Sequence, residues 1–319
     1  MNDERVSREP VDVPRFSPGC GCVLTAVALI LWLIGVVLLE LGLERVSGES
    51  QIGLGGAAAY FVYTGVFVLV FWLAFRVRNP LRSAGLALST RFHTDWLLGA
   101  IIGGAGVAVA LIAIDIGGEI SVISSPLKHA GGEHVGPLSW PIAVLVFILY
   151  AGEEEILSRG LVYPLLRRSI GFAWAVIVSS LLFSLLHAFN NAFSWIPFID
   201  ILLAGVFLAL LRELTGSLWL AWGAHFGWNF GLIALGLPVS GIRVLLDPQS
   251  WHMVTMGPDF LTGGDFGPEG GIGGVIADLC MVGLAAFLLH IKRKRRTIEG
   301  VNGKDIAVPG DHAWIPPDE

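Results

Sequence analysis

Long apolar runs separated by short polar stretches set the rhythm of this chain. Eight runs stand out, at roughly 22–43, 54–75, 96–117, 140–166, 172–190, 195–211, 216–236 and 272–291. Each comes close to the ~20 residues that a helix needs to cross a hydrocarbon core of about 30 Å. The pattern predicts an all-α fold, a polytopic transmembrane helix bundle of about eight spans. The first run is about twice as long as the apolar part of a signal peptide, and no small-x-small cleavage site follows it, so it reads as a span.

Composition agrees with the pattern. Of the 319 residues 54% are hydrophobic and only 14% charged, against about a quarter charged in soluble domains. The mean hydropathy is +0.72. With the N-terminus placed in the cytoplasm, seventeen of the 20 lysines and arginines fall on inside segments. Only Arg45, Lys128 and Arg243 fall outside. That asymmetry satisfies the positive-inside rule for an even number of spans, with both termini cytoplasmic. The Lys292–Arg296 run directly abuts an apolar helix and reads as a cytoplasmic stop anchor, so no nucleic-acid partner is expected. Cys20, Cys22 and Cys280 offer neither metal-ligand spacing nor a disulfide framework. Short outside connections and an acidic total point to a bacterial plasma membrane.

The polar stretches divide the chain further. Residues 1–18 lack periodicity and read as a disordered cytoplasmic N-terminus. Residues 19–139 hold the first three spans, 140–236 a core of four, and 272–296 the last span with its anchor. A tail at 297–319 follows. The outside segments are 118–139, rich in Gly and Ser, and 237–271, where Trp251, Met253, Met256, Phe260 and Leu261 stand among many Gly and Pro. The second reads as a plain loop, with an interfacial cap or a lid as the alternative. Glycines within spans, among them Gly99, Gly103, Gly223 and Gly227, suit close helix packing.

Three polar clusters interrupt the apolar runs. An ionisable side chain at the bilayer centre costs roughly 2.5–3.5 kcal/mol on insertion scales, so each calls for a function or a partner. The first cluster is Glu153-Glu154-Glu155 with Ser158 and Arg159. Glu155 and Arg159 are i and i+4 with the acid first, the favourable order for an ion pair. Glu154 points about 100° away, which leaves it free to face a polar cavity. The second is His187, four residues after Phe183, and the third is His225 with Asn229 on the same helix face. Depth lets Glu154 meet His187 and, less closely, His225, whose shallower position calls for tilt or a deeper helix start. At 1.5 Å per residue Glu154 lies about 21 Å from Arg168, His187 about 22 Å from Phe172 and His225 about 14 Å from Gly216. The site is thus expected between the helices at 140–166, 172–190 and 216–236. Asp115, Glu119, Asp200 and Asp278 stand near other spans, mostly towards their ends.

Glu154-Glu155-x-x-x-Arg159, Phe183-x-x-x-His187 and His225-x-x-x-Asn229, in that order on hydrophobic spans, resemble the three motifs of the CPBP family. That family comprises the CAAX prenyl endopeptidases of the Rce1 type and the bacteriocin-processing or bacteriocin-immunity (Abi) proteins. The chain departs from the pattern at Ser158, where the family often has an aromatic residue. The resemblance implies an intramembrane endopeptidase acting on a membrane-associated or prenylated peptide. It implies that Glu154 with His187 activates water, that His225 and Asn229 stabilise the oxyanion, and that Glu155 and Arg159 support the site. The chemistry agrees, since amide hydrolysis needs a base against a water and donors where negative charge develops.

Glu154, His187 and His225 are also the residues that a zinc ion would take, and the family is often labelled metalloendopeptidase. The sequence has no H-E-x-x-H, and a glutamate mechanism without a metal is the preferred expectation. Two other function classes compete with the peptidase. One is a non-catalytic immunity or partner-binding membrane protein. The other is an ion- or proton-coupled transporter using the same three side chains, although no internal repeat of the transporter kind is evident.

Overall fold

A helix satisfies its own backbone polar groups, which lipid cannot do, so apolar runs of this length fold as helices. The computed structural model describes residues 17–47, 53–125 and 134–301. The expectation of disorder at 1–18 falls almost wholly outside these residues, as does the tail beyond 301. Ten α-helices are described: α1 Pro18–Ser47, α2 Leu54–Ala74, α3 Pro80–Ser83, α4 Phe92–Gly117, α5 Trp140–Leu157, α6 Tyr163–Leu186, α7 Trp195–Thr215, α8 Trp219–Ala234, α9 Asp259–Thr262 and α10 Ile272–Val301. The bundle is all-α in its spanning part. The last helix reaches past the expected tail boundary at 297.

All eight expected runs are helical, although they are not eight separate long helices. Six helical runs among the described residues are long and apolar enough to cross a membrane. The runs expected at 140–166 and 172–190 form one 47-residue stretch, Trp140–Leu186. It turns at Gly171, whose φ of 80° and ψ of 179° break the helix. That φ lies in the region that glycine alone enters without strain. The block at 216–236 becomes the 16-residue α8, about 24 Å long.

The two long connections also depart from the plain-loop expectation. Strand β1 (Glu119–Ile123) pairs antiparallel with β4 (His252–Met256), from Glu119↔Met256 to Ile123↔His252. Strand β2 (His134–Ser139) pairs in parallel with β3 (Arg243–Asp247). These two small sheets tie 118–139 to 237–271 at one end of the bundle. Trp140 Nε1 donates to the carbonyl of Pro248 at 2.9 Å and seats the start of α5 against this cap.

The opposite end is held by charge. Glu213 of α7 accepts from Tyr163 at 2.6 Å and from Arg167 at 3.0 Å, both on α6. Arg293 of α10 lies 3.5 Å from the same carboxylate, and its guanidinium stacks 4.3 Å over Phe172.

Helices α4 and α8 meet backbone to backbone. A Cβ on Gly99 would lie 2.2 Å from the carbonyl oxygen of Leu220, and one on Gly103 2.0 Å from that of Ala224. From the other side, a Cβ on Gly223 would lie 1.9 Å from the oxygen of Trp96. Small residues permit this approach and so fix the register of α8. Gly223→Ala must push the helices apart. It is expected to lower stability by about 1–3 kcal/mol, the usual range for overpacking. The unfolding midpoint in mixed micelles reads the effect, and an unchanged midpoint would contradict so close a contact.

Candidate active site

Glu153, Glu154 and Glu155 end α5 just before a π-helical turn, Ser158–Val162. Such a turn carries an extra residue and frequently marks a functional site. Its displaced carbonyls find outside partners: Trp72 Nε1 donates to Gly160 O at 3.2 Å. Ser158, at the position where the resemblance led one to expect an aromatic residue, opens the turn and lines the cavity described below.

Three successive helical positions send the three carboxylates to three different surroundings. Glu153 is buried towards α1 and α2, where Thr64 Oγ1 donates to it at 3.0 Å and Trp32 donates in turn to Thr64 at 2.8 Å. Glu155 is fully buried and pairs with Arg159 at 2.7 Å, as the i, i+4 spacing predicted. The Arg159 guanidinium also donates to Gly205 O at 3.0 Å and lies 4.3 Å over the Phe183 ring. Glu154 lines a cavity with its side chain 31% exposed, and its buried Oε2 has no hydrogen-bond partner.

Both motif histidines point at that oxygen. His187 Nε2 is 3.6 Å from Glu154 Oε2, and His225 Nε2 is 3.8 Å from it. Each ring is fixed by its other nitrogen. His187 caps the end of α6 rather than standing mid-span, and its Nδ1 bonds the Phe183 carbonyl at 2.9 Å. A carbonyl only accepts, so Nδ1 carries the proton and Nε2 is left facing Glu154. His225 Nδ1 lies 3.0 Å from Glu155 Oε1. Phe183 packs edge-on against both rings, with centroids 4.9 and 6.0 Å away. Asn229, one turn beyond His225, lines the same cavity. The three clusters therefore line one cavity.

The cavity holds about 330 Å³. Its walls are largely apolar, with Phe147, Leu157, Phe207, Leu208, Val239 and Met281 among them. An apolar pocket with a few convergent polar groups is the usual form of a ligand site. Among the described residues, no three His, Cys, Asp or Glu side chains converge closely enough to hold a metal ion.

Sequence reasoning did not find every polar group here. Glu155 was expected only to pair with Arg159, and it also orients His225, 70 residues away. Glu269, in the connection before α10, closes the cavity near the cap. It accepts from Trp228 Nε1 at 2.9 Å and from the backbone N–H and hydroxyl of Ser240. Burial raises its carboxyl above the usual range, and these bonds offset part of that rise. Asp200 and Asp278 line the same cavity, whereas Asp115 and Glu119 are exposed on the outside of the bundle. A carboxylate inside an apolar run was the available signal for Asp200 and Asp278. Its direction was not readable.

Residues 136–231 match the model of the Rce1-like family, described as type II CAAX prenyl endopeptidases. The match runs from β2 through most of α8 and spans Glu154, Glu155, Arg159, His187, His225 and Asn229. The resemblance carried by the three motifs is thereby supported. No curated protein matches the chain.

Proposed function

On the premise that residues 136–231 carry an Rce1-like peptidase core, we propose that this protein is an intramembrane endopeptidase working by glutamate-activated water. The observation that carries the reading is the lone Oε2 of Glu154, faced by two histidine nitrogens inside a largely apolar cavity. A water beside that oxygen loses a proton to Glu154 as its oxygen adds to the peptide carbonyl carbon. The charge that develops on the carbonyl oxygen is taken up by Nε2–H of His225, a doubly protonated ring whose Nδ1–H donates to Glu155, and by the amide of Asn229. Preorganised donors in a low-dielectric site are the largest source of such stabilisation. When the C–N bond breaks, the proton passes from Glu154 by way of His187 to the leaving nitrogen. An acid and an amine are released, and no metal takes part.

The substrate class is a membrane-associated peptide or protein. The address proposed is a bacterial plasma membrane with both termini in the cytoplasm. Comparison of membrane-protein termini between cells carrying wild type and Glu154→Ala tests the reading. New termini are expected in the wild type alone, and they should persist in purified protein stripped with a zinc chelator. Identical termini in both strains would overturn the peptidase. Loss of cleavage on chelation, restored by stoichiometric zinc, would overturn the metal-free mechanism.

A further inference from the structure

The end of the cavity formed by α7 and α10 holds carboxylates that the proposed hydrolysis does not use. Asp200 of α7 is 2% exposed and Asp278 of α10 is 1% exposed. Oδ1 of Asp200 and Oδ2 of Asp278 each lack a hydrogen-bond partner, and both residues line the cavity. Glu269 lines the same cavity as Asp200 and Asp278. His187 and Glu154 line that cavity too, so the acidic end and the motif residues share one space.

The titratable lining of the cavity is mostly acidic: Glu153, Glu154, Asp200, Glu269 and Asp278 line it with His187 and His225, and among the described residues no lysine or arginine does. Buried carboxylates are costly unless paired. A cationic ligand supplies the missing partner, and complementary charge then selects that ligand over a neutral one of the same shape. The carboxylates are too dispersed to form a metal cage among the described residues, whereas an ammonium or guanidinium group bonds several acceptors at longer range.

We propose that the Asp200–Asp278 end of the cavity is a subsite for a positively charged side chain, lysine or arginine, of the peptide bound beside Glu154. Calling that peptide a substrate rests on the endopeptidase reading; the binding itself does not.

The test uses the full-length Glu154→Gln protein in detergent micelles, so that nothing is turned over. Labelled apolar nonapeptides carry a single lysine at successive positions, each matched by a peptide with norleucine in its place. In at least one register the lysine peptide is expected to bind ~10-fold tighter or more. Adding Asp200→Asn and Asp278→Asn should bring the ratio below ~2-fold. Equal binding of lysine and norleucine peptides in every register overturns the proposal, as does a preference that both Asn changes leave intact. The lysine–norleucine comparison needs neither Asn change, so a poorly folded double variant does not spare the idea. Thermal stability in sodium, potassium and choline chloride separates the sources of charge. Specific stabilisation by an inorganic cation, with no lysine preference, would make this an ion site and overturn the peptide assignment. Lysine preference without changed termini in cells would leave the subsite standing and sink the peptidase; the reverse result would sink only the subsite.

Discussion

Purified Glu154→Gln protein is expected to cleave the peptide found by the terminus comparison about 10²–10⁴-fold more slowly than wild type, the usual contribution of a positioned general base. The fall should appear in kcat, with KM little changed, because the amide keeps the shape of the carboxyl group and loses only its ability to take a proton. Stability should hardly move. Glu154 Oε2 makes no hydrogen bond, so the change weakens only its longer contacts with His187 and His225. This separates Glu154 from Glu153 and Glu155, whose carboxylates are bound to Thr64 and to Arg159 with His225. Turnover above a tenth of wild type would end the case for Glu154 as the base.

Arg159→Leu is expected to act in the opposite way, through stability. Arg159 and Glu155 are buried almost completely. Removing the cation leaves the carboxylate without its counter-charge, and Gly205 O loses its donor. Breaking one side of a buried pair typically costs about 3–5 kcal/mol. A large drop in the unfolding midpoint in mixed micelles is therefore expected. Glu155 also holds His225, so cleavage should fail even in the fraction that stays folded. The double change Glu155→Leu with Arg159→Leu should recover part of the stability, because it removes both charges rather than one. A double variant no more stable than Arg159→Leu alone would mean that packing, not the stranded charge, sets the loss.

The site was legible in the sequence to the extent that its parts are local. Glu155 and Arg159 sit one helical turn apart, which determines their pairing whatever surrounds them, and the same geometry turns Glu154 another way. The span pattern was legible for a related reason. A membrane helix closes its own hydrogen bonds, so its existence depends on its own composition and not on distant partners. All eight expected runs are helical. What the pattern left open is how they join: Arg167, Arg168 and Ser169 with Gly171 divide one long helical stretch, and α8 is shorter than its apolar block.

By itself, then, the sequence determined a helical membrane bundle and three polar clusters with their internal spacing. Only the tertiary structure decided what those clusters touch. It set Glu155 against His225 and both Nε2 atoms against one oxygen of Glu154. It paired strands across two long connections, and turned Asp200, Asp278 and Glu269 into the cavity. The physical reason is separation along the chain. An i, i+4 contact follows from helix pitch alone, whereas a contact between residues 70 positions apart, as Glu155 and His225 are, depends on how α4 and α8 close on their glycines and how α5, α6 and α8 then lie beside one another.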